Sequence, residues 1–391
     1  MKADLFSYPI PDTPHTPEED DLSVLRLIRS RRVGPATYHR LIGEYGSARA
    51  ALAALPEIAR ASGVRDYTAC PEGVAMVEMK AARRAGARLL RFGTPAYPAA
   101  LAGISDAPPL LWTLGDPGLA ARPMIALVGA RNASSLGLRM ARRLAQDMAA
   151  AGFVVVSGLA RGIDTAAHKA ALEGGTIAAL AGGVDVIYPS ENAGLAADIA
   201  QGGLLLSEQP MGCQPQARHF PLRNRLIAGL ARAVVVVEAA AGSGSLITAR
   251  IALDQGREVL SVPGHPLDAR AAGCNALIRD GAVLVRGIDD ILSALGTEGI
   301  TEGIAAPERP RRQPAAPRAA QPAAAPPAPA LPPDALRTGI LDRLGPSPVA
   351  EDQLIRDLRT TPARLAPVLL ALEFDGIVQR QPGGMIALAV G

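Results

Sequence analysis

A chain of 391 residues is long enough for two or three domains and at least one sizeable core, which excludes a single small module. Hydrophobic residues make up 49% of it but aromatics only 3%, so the core must be built from Ala, Val, Leu and Ile, a composition suited to β-α-β layers and poor in stacking surfaces. The net charge of +3 is too small for binding of a polyanion by bulk charge, so any basic site must be local.

Residues 1–19 carry Pro9, Pro11, Pro14 and Pro17 among polar neighbours and read as a loose leader. From Asp20 to about Gly86, Leu22, Leu25, Ile28, Leu41 and Ile42 are spaced for one buried helical face. Within that run, Val33-Gly34-Pro35 followed by Leu41-Ile42-Gly43 is similar to a helix-hairpin-helix turn, and the alternative is a plain helical packing module. Pro95 to Gly115 is too rich in proline for a helix and reads as a connecting wrap with a short strand at Leu110 to Leu114, so residues 20–117 form a small helical domain (SAM-like or helix-hairpin-helix-like) plus its connection.

Residues 118–297 are the most regular part. Apolar, β-branched runs at Met124 to Val128, Phe153 to Val156, Thr176 to Leu180, Gly203 to Leu206, Ala233 to Val237 and Glu258 to Val262 alternate with helical patterns such as Ser134 to Ala151, Asp164 to Leu172 and Ser245 to Gln255. Strict alternation with continuous apolar strands predicts an α/β fold, a doubly wound, Rossmann-like and mostly parallel sheet with its ligands at the carboxyl ends of the strands. The run ending at Pro263-Gly264 is expected to close the sheet edge. Residues 298–333 are dominated by proline and alanine with Arg309, Arg311, Arg312 and Arg318, a semi-rigid linker. Residues 334–391 then read as three helices and a hairpin around Pro382-Gly383-Gly384, the winged-helix order. The third helix carries Arg364 alone, so docking or packing competes with groove reading.

Four segments at strand ends carry the candidate chemistry. After the first strand, Gly129-Ala130-Arg131-Asn132-Ala133-Ser134-Ser135 offers a tight turn, backbone N–H groups and two hydroxyls at a helix start, a phosphate site. Arg131 stands where the G-x-G-x-x-G dinucleotide fingerprint needs its second glycine, which argues against a dinucleotide. After the second strand, Ser157-Gly158-Leu159-Ala160-Arg161-Gly162-Ile163-Asp164 repeats the arrangement, with Lys169 beyond the cap and His168 favoured as a hydrogen-bonded structural residue. After the fourth strand an irregular loop leads to Phe220-Pro221-Leu222-Arg223-Asn224-Arg225, which combines charge, amide hydrogen bonding and a ring; the alternative is an Arg-rich helix start paired to Glu208 and Glu238. After the fifth, Gly242-Ser243-Gly244-Ser245, with Thr248 one turn on, makes a further anion cradle. These loops converge on one crest, and convergence is the stronger signal.

The three cysteines, Cys70, Cys213 and Cys274, show no metal-ligand spacing, so neither a metal nor a cofactor is expected and a reduced compartment is. With no signal stretch and no apolar run of about 18 residues, the expectation is a cytoplasmic protein without a membrane partner.

The motifs Gly129-x-Arg131, Ser157-Gly158-x-Ala160-x-Gly162-Ile163-Asp164, Tyr188-Pro189, Phe220-Pro221-x-Arg223-Asn224-Arg225, Ser243-Gly244-Ser245-Leu246-Ile247-Thr248-Ala249 and Pro263-Gly264, in this order, resemble the DNA processing protein A (DprA/Smf) family from about Leu22 to Gly391. The resemblance implies sequence-independent binding of single-stranded DNA, a homodimer formed through the α/β domain, and handover of the strand to the RecA recombinase in natural transformation. It implies a binding protein and not an enzyme. Two other readings compete: a nucleotide phosphoribohydrolase-like enzyme on a related fold, and a winged-helix regulator that senses a nucleotide. The former needs a P-G-G-x-G-T stretch with an acid close behind, whereas Leu246 to Leu253 holds no carboxylate.

Overall fold

The computed structural model describes residues 17–296, 332–344, 349–358, 360–381 and 385–388. Residues 1–16 of the expected leader, 298–331 of the expected linker and the Pro382-Gly383-Gly384 turn lie outside the described residues.

Four helices open the chain: α1 (Pro17–Arg29), α2 (Pro35–Tyr45), α3 (Ala48–Ala61) and α4 (Glu72–Arg84). The first starts three residues inside the expected leader, at Pro17. Pro35 begins α2 because its missing N–H falls where no intrahelical partner exists. Gly46 ends that helix with a left-handed φ of 74°, and the Ser47 hydroxyl then caps α3 by accepting from Ala50 N–H. Leu25, Leu27, Leu41 and Leu52 pack with Leu110 and Trp112, so the helical module shares a core with the sheet. One polar tie is Glu78, which takes Arg29 at 2.8 Å and Trp112 Nε1 at 2.7 Å.

The sheet has nine strands: β1 (Arg88–Arg91), β2 (Leu110–Gly115), β3 (Met124–Gly129), β4 (Val154–Ser157), β5 (Thr176–Ala179), β6 (Leu204–Ser207), β7 (Ala233–Val237), β8 (Glu258–Ser261) and β9 (Val283–Leu284). Their order is β1-β2-β6-β5-β4-β3-β7-β8-β9, parallel from β6 to β9, with β1 and β2 antiparallel at one edge. The edge expected at Pro263-Gly264 is instead closed by β9, a two-residue strand too short to carry a periodic signal.

Eight helices accompany the sheet: α5 (Ala99–Ala102), α6 (Ser135–Ala150), α7 (Ile163–Ala171), α8 (Ala193–Gly202), α9 (His219–Leu230), α10 (Gly244–Asp254), α11 (Ala272–Arg279) and α12 (Ile288–Ala294). Alternate residues of β3 serve opposite layers, as the pleat requires. Ile125 and Leu127 pack with Leu144 and Met148 of α6, while Ala126 and Val128 pack with Leu226 and Ile227 of α9. Strand order reverses at β3, so the chains leaving β3 and β7 diverge and open a crevice between them.

The remaining elements are α13 (Pro333–Leu341), β10 (Val349–Ala350), α14 (Glu351–Asp357), α15 (Pro362–Phe374), β11 (Val378–Gln381) and β12 (Met385–Leu388), a winged helix whose small sheet runs β10-β12-β11. Leu336, Ile340, Leu354, Leu365, Leu369 and Ile386 give it a core of its own. Along α15, Ala363, Ala366, Leu370 and Phe374 are exposed, an apolar face where a DNA-reading helix carries cations.

Candidate nucleic-acid interface

The loop from β3 to α6 is filled by the protein itself. Gly129 lacks a side chain because a Cβ there would lie 2.0 Å from Val237 O, so the glycine serves strand pairing. At the start of α6, Glu238 Oε2 accepts from Ser134 N–H at 2.9 Å and from the Ser134 hydroxyl at 3.2 Å. A carboxylate therefore sits where an external phosphate was expected, and the same helix N-terminus stabilises it. Gly137 makes room for it, since a Cβ would meet Glu238 Oε2 at 2.0 Å. Burial pushes the Glu238 carboxyl above its usual range, against Ser134 and Arg270, which lower it. Ser134 and Ser135, expected to face a ligand, are both buried. Only Arg131 and Asn132 of this loop project outward as exposed side chains.

The loop from β4 to α7 turns inward in the same way. Asp164 Oδ2 accepts from Gly158 N–H and Ala160 N–H at 3.1 and 3.3 Å, and the Ser157 hydroxyl donates to Leu127 O. Gly162, at φ 73°, packs against the preceding loop, where a Cβ would lie 2.3 Å from Ala130 O. His168 is structural: Nε2 accepts from Leu159 N–H, which places the proton on Nδ1, and Nδ1–H is donated to Thr176 Oγ1, itself a donor to Val155 O. Burial, helped by the Arg223 charge, pulls its pKa down to about 3, so the ring is neutral. Arg161 and Lys169 remain exposed, Arg161 paired with Glu191 at 2.5 Å.

The Arg-Asn-Arg segment starts α9, and its two arginines point into the protein. Arg223 is 6% exposed and donates through Nη1 to Gly158 O and Ala179 O, both at 2.6 Å. Gly158 is glycine for this reason, since a Cβ would lie 2.5 Å from that nitrogen. Burial lowers the guanidinium pKa to about 10 against the opposing charge of Asp164. Arg225 is equally buried; it pairs with Glu208 and donates to Asp106 O at 2.6 Å. The expectation that both arginines meet phosphates is corrected, because their N–H groups are spent on carbonyls and carboxylates. The Arg225–Glu208 half of the alternative reading stands, whereas Glu238 takes Arg270 at 3.5 Å.

The loop from β7 to α10 differs from the other two. Gly242, at φ 80°, and Gly244 have nothing within 4 Å of a built Cβ, so their backbone faces open space. Ser243 caps α10, its hydroxyl 2.8 Å from that of Ser245. Ser245 and Thr248 are buried against the helix, and among the described residues no carboxylate fills this helix N-terminus.

A groove of about 600 Å³ lies over this loop at the β3/β7 divergence. Its walls include Gly129, Arg131, Asn132, Phe220, Arg223, Asn224, Gly242, Ser243, Gly244, Ser245 and Thr248. Ser134, Ser135, Ser157, Gly158, Arg161, Gly162, Lys169 and Arg225 do not line it. The Phe220 ring centroid is 5.5 Å from the Arg131 guanidinium carbon and 5.9 Å from that of Arg223, and the ring of Tyr188 meets its edge at 5.7 Å. Tyr188 is 54% exposed, and sequence reasoning cited it only within a family motif. Its signal was a tyrosine in a loop of a chain with few aromatics. Arg270 also lines the groove and was missed, since it lies outside any glycine loop.

Comparison with known proteins decides the family. Residues 88–296 match DNA recombination-mediator protein A, residues 18–81 a DprA-like N-terminal HHH domain and residues 313–384 a DprA winged helix domain. The chain belongs to the DprA/Smf family. It is 47% identical over 199 residues to DNA processing protein DprA of Streptococcus pneumoniae, covering 50% of this chain and 70% of that one. Protein Smf of Synechocystis is 37% identical over 306 residues, covering 74% and 77%. The solved structure of the S. pneumoniae protein superposes with a TM-score of 0.59 at 38% identity, over 70% of this chain and 97% of that one. DNA processing protein A of Helicobacter pylori, described with a single-stranded DNA binding mode, gives a TM-score of 0.50 at 30% identity over 54% and 96%. The family carries a DNA-processing role. Among the described residues no helix is long and apolar enough to cross a membrane, and no His, Cys, Asp and Glu cluster is placed to hold a metal.

Proposed function

We propose that the groove binds single-stranded DNA without sequence preference. The observation that carries this reading is the contrast among the three loops. Glu238 occupies the start of α6, and in the second loop Asp164 takes the loop's own Gly158 and Ala160 N–H groups, whereas the third, at Gly242-Ser243-Gly244, is open and faces Arg131 and Phe220. In this reading the free N–H groups of that loop and the Arg131 guanidinium take backbone phosphates. A base stacks at the Phe220–Tyr188 pair, and Asn224 supplies an amide. Glycine at 242 and 244 admits the phosphate closely. Arg223 and Arg225 then act indirectly, by fixing α9 and the loop after β4. None of these contacts reads a base edge, which accounts for indifference to sequence.

The same reading makes the protein a binder and not a hydrolase. The carboxylates at the crest, Asp164 on the groove wall and Glu238 outside it, are committed to backbone amides. Family membership supports the further parts of the proposal: a homodimer formed through the α/β domain, and delivery of the strand to the RecA recombinase in the cytoplasm.

A gel-shift titration of the full chain with a thirty-residue oligothymidylate and with a duplex of equal length tests the reading. Tighter binding of the single strand is expected, because splayed bases reach the aromatic pair and paired ones do not. Equal affinity for both forms would move the site to the winged helix. Release of free base from nucleoside monophosphates would favour the hydrolase.

A further inference from the structure

Arg270 stands where the groove and the winged helix meet. The residue lines the groove wall, and its guanidinium reaches across to the end of α13, donating from Nη1 to Asp342 O at 2.6 Å and from Nη2 to Leu344 O at 3.0 Å. Asp268 accepts from Nε and Nη2 at 3.1 and 3.2 Å, and Glu238 lies 3.5 Å from Nε. Four acceptors thus share one guanidinium, two carboxylates and two backbone carbonyls.

The contact around this latch is not a packed seam. A cavity of about 290 Å³ separates Leu136 and Met140 of α6 from Arg343 and Val349 of the winged helix. The two bonds from Arg270 to Asp342 O and Leu344 O bridge the domains beside that cavity. Asp342 is the C-cap of α13, so its carbonyl lies at the negative end of that helix dipole, while Leu344 O lies just beyond it.

We propose that Arg270 is a latch shared between the groove and the winged helix, so that entry of a single strand and docking of the winged-helix domain compete. This rests on the groove taking a single strand. A phosphate oxygen arriving at the groove wall is a charged acceptor, and charge-assisted hydrogen bonds are stronger than those to neutral carbonyls. The two neutral acceptors, Asp342 O and Leu344 O, are the ones it displaces, while Asp268 and Glu238 keep the guanidinium in place. Losing them frees the winged helix from the α/β domain. By reciprocity, a chain already undocked binds the strand more tightly by the same factor.

The test uses the full chain carrying Cys213→Ser with a donor and acceptor fluorophore on Arg139→Cys of α6 and Asp352→Cys of α14, both exposed positions. Energy transfer is expected to be high in the free chain and to fall during titration with a thirty-residue oligothymidylate, with the midpoint of binding. Arg270→Gln is expected to show low transfer without DNA. Leu136→Asp, which weakens docking and leaves Arg270 in place, is expected to show low transfer and at least about 5-fold tighter oligonucleotide binding. Low transfer in the free parent chain, unchanged transfer at saturating oligonucleotide, or undocking by Leu136→Asp without tighter binding overturns the latch alone. No oligonucleotide binding by any chain overturns the strand reading, and the latch with it.

Discussion

Replacing Arg223 by Ala removes the centre of a buried polar network in the α/β domain. Two carbonyls, Gly158 O and Ala179 O, lose donors held at 2.6 Å, and the buried Asp164 carboxylate loses the positive charge that offsets its burial. An uncompensated buried charge of this kind costs about 3–5 kcal/mol, a large fraction of the roughly 5–15 kcal/mol that holds a domain together. At a slope of about 3 kcal/mol per M urea, the midpoint falls by roughly 1–1.7 M. Trp112 is the chain's single tryptophan, lies buried in β2 and reports the same sheet, so its fluorescence during urea titration is the assay. Arg131→Ala, a change at an exposed side chain, provides the contrast and is expected to unfold at the parent midpoint. If Arg223→Ala also unfolds there, the network is not what fixes the loop after β4, and the structural role given to Arg223 is wrong.

Three further outcomes follow from the same geometry. Gly162→Ala puts a Cβ 2.3 Å from Ala130 O at a φ of 73°, and its urea midpoint should drop by the equivalent of about 2 kcal/mol or more, whereas Gly244→Ala meets nothing within 4 Å and should leave stability near that of the parent. His168, held neutral with a pKa of about 3 against an ordinary 6.5, makes the unfolded chain bind the extra proton between those values. Its share of stability is therefore intact above about pH 6.5 and lost as pH falls toward 3, and a His168→Asn chain should show a flatter urea midpoint over that window. Phe220→Ala should weaken oligothymidylate binding by about 1–3 kcal/mol in an anisotropy titration, with little change for a variant of the exposed Lys169 outside the groove.

The sequence made the sheet legible because its strands are short, continuous apolar runs, and β3 to β8 fall within about a residue of those runs. Helix α9 escaped because it is buried on nearly every side and carries Pro221 in its first turn, which erases the amphipathic period. The candidate site was half legible. Glycines and arginines at strand ends mark close approach and charge, but they do not say what approaches. At Gly129, Gly158 and Gly162 the neighbour is the protein's own backbone or the Arg223 side chain, from elements far along the chain. At Gly242 and Gly244 it is open space. Likewise Arg223 and Arg225 carry the composition of a phosphate clamp, yet their acceptors lie in β5, in the loops after β4 and β6 and in the segment before β2, which no local pattern encodes. Arg270 was silent, and Glu238 was named only as a partner for the arginines, for the converse reason: isolated charged residues acquire meaning only when the fold brings Ser134 and the end of α13 to them.

The central claim, that the groove at Gly242-Ser243-Gly244 and Arg131 holds a single strand by its phosphates, is tested most directly by salt titration. Anisotropy of a labelled thirty-residue oligothymidylate, read from about 50 to 200 mM salt, gives a slope of roughly −0.7 per phosphate neutralised. For Arg131→Ala the account predicts weaker binding and a slope shallower by about 0.7 than that of the parent chain. A correctly folded Arg131→Ala chain with the parent's affinity and the parent's slope would contradict it.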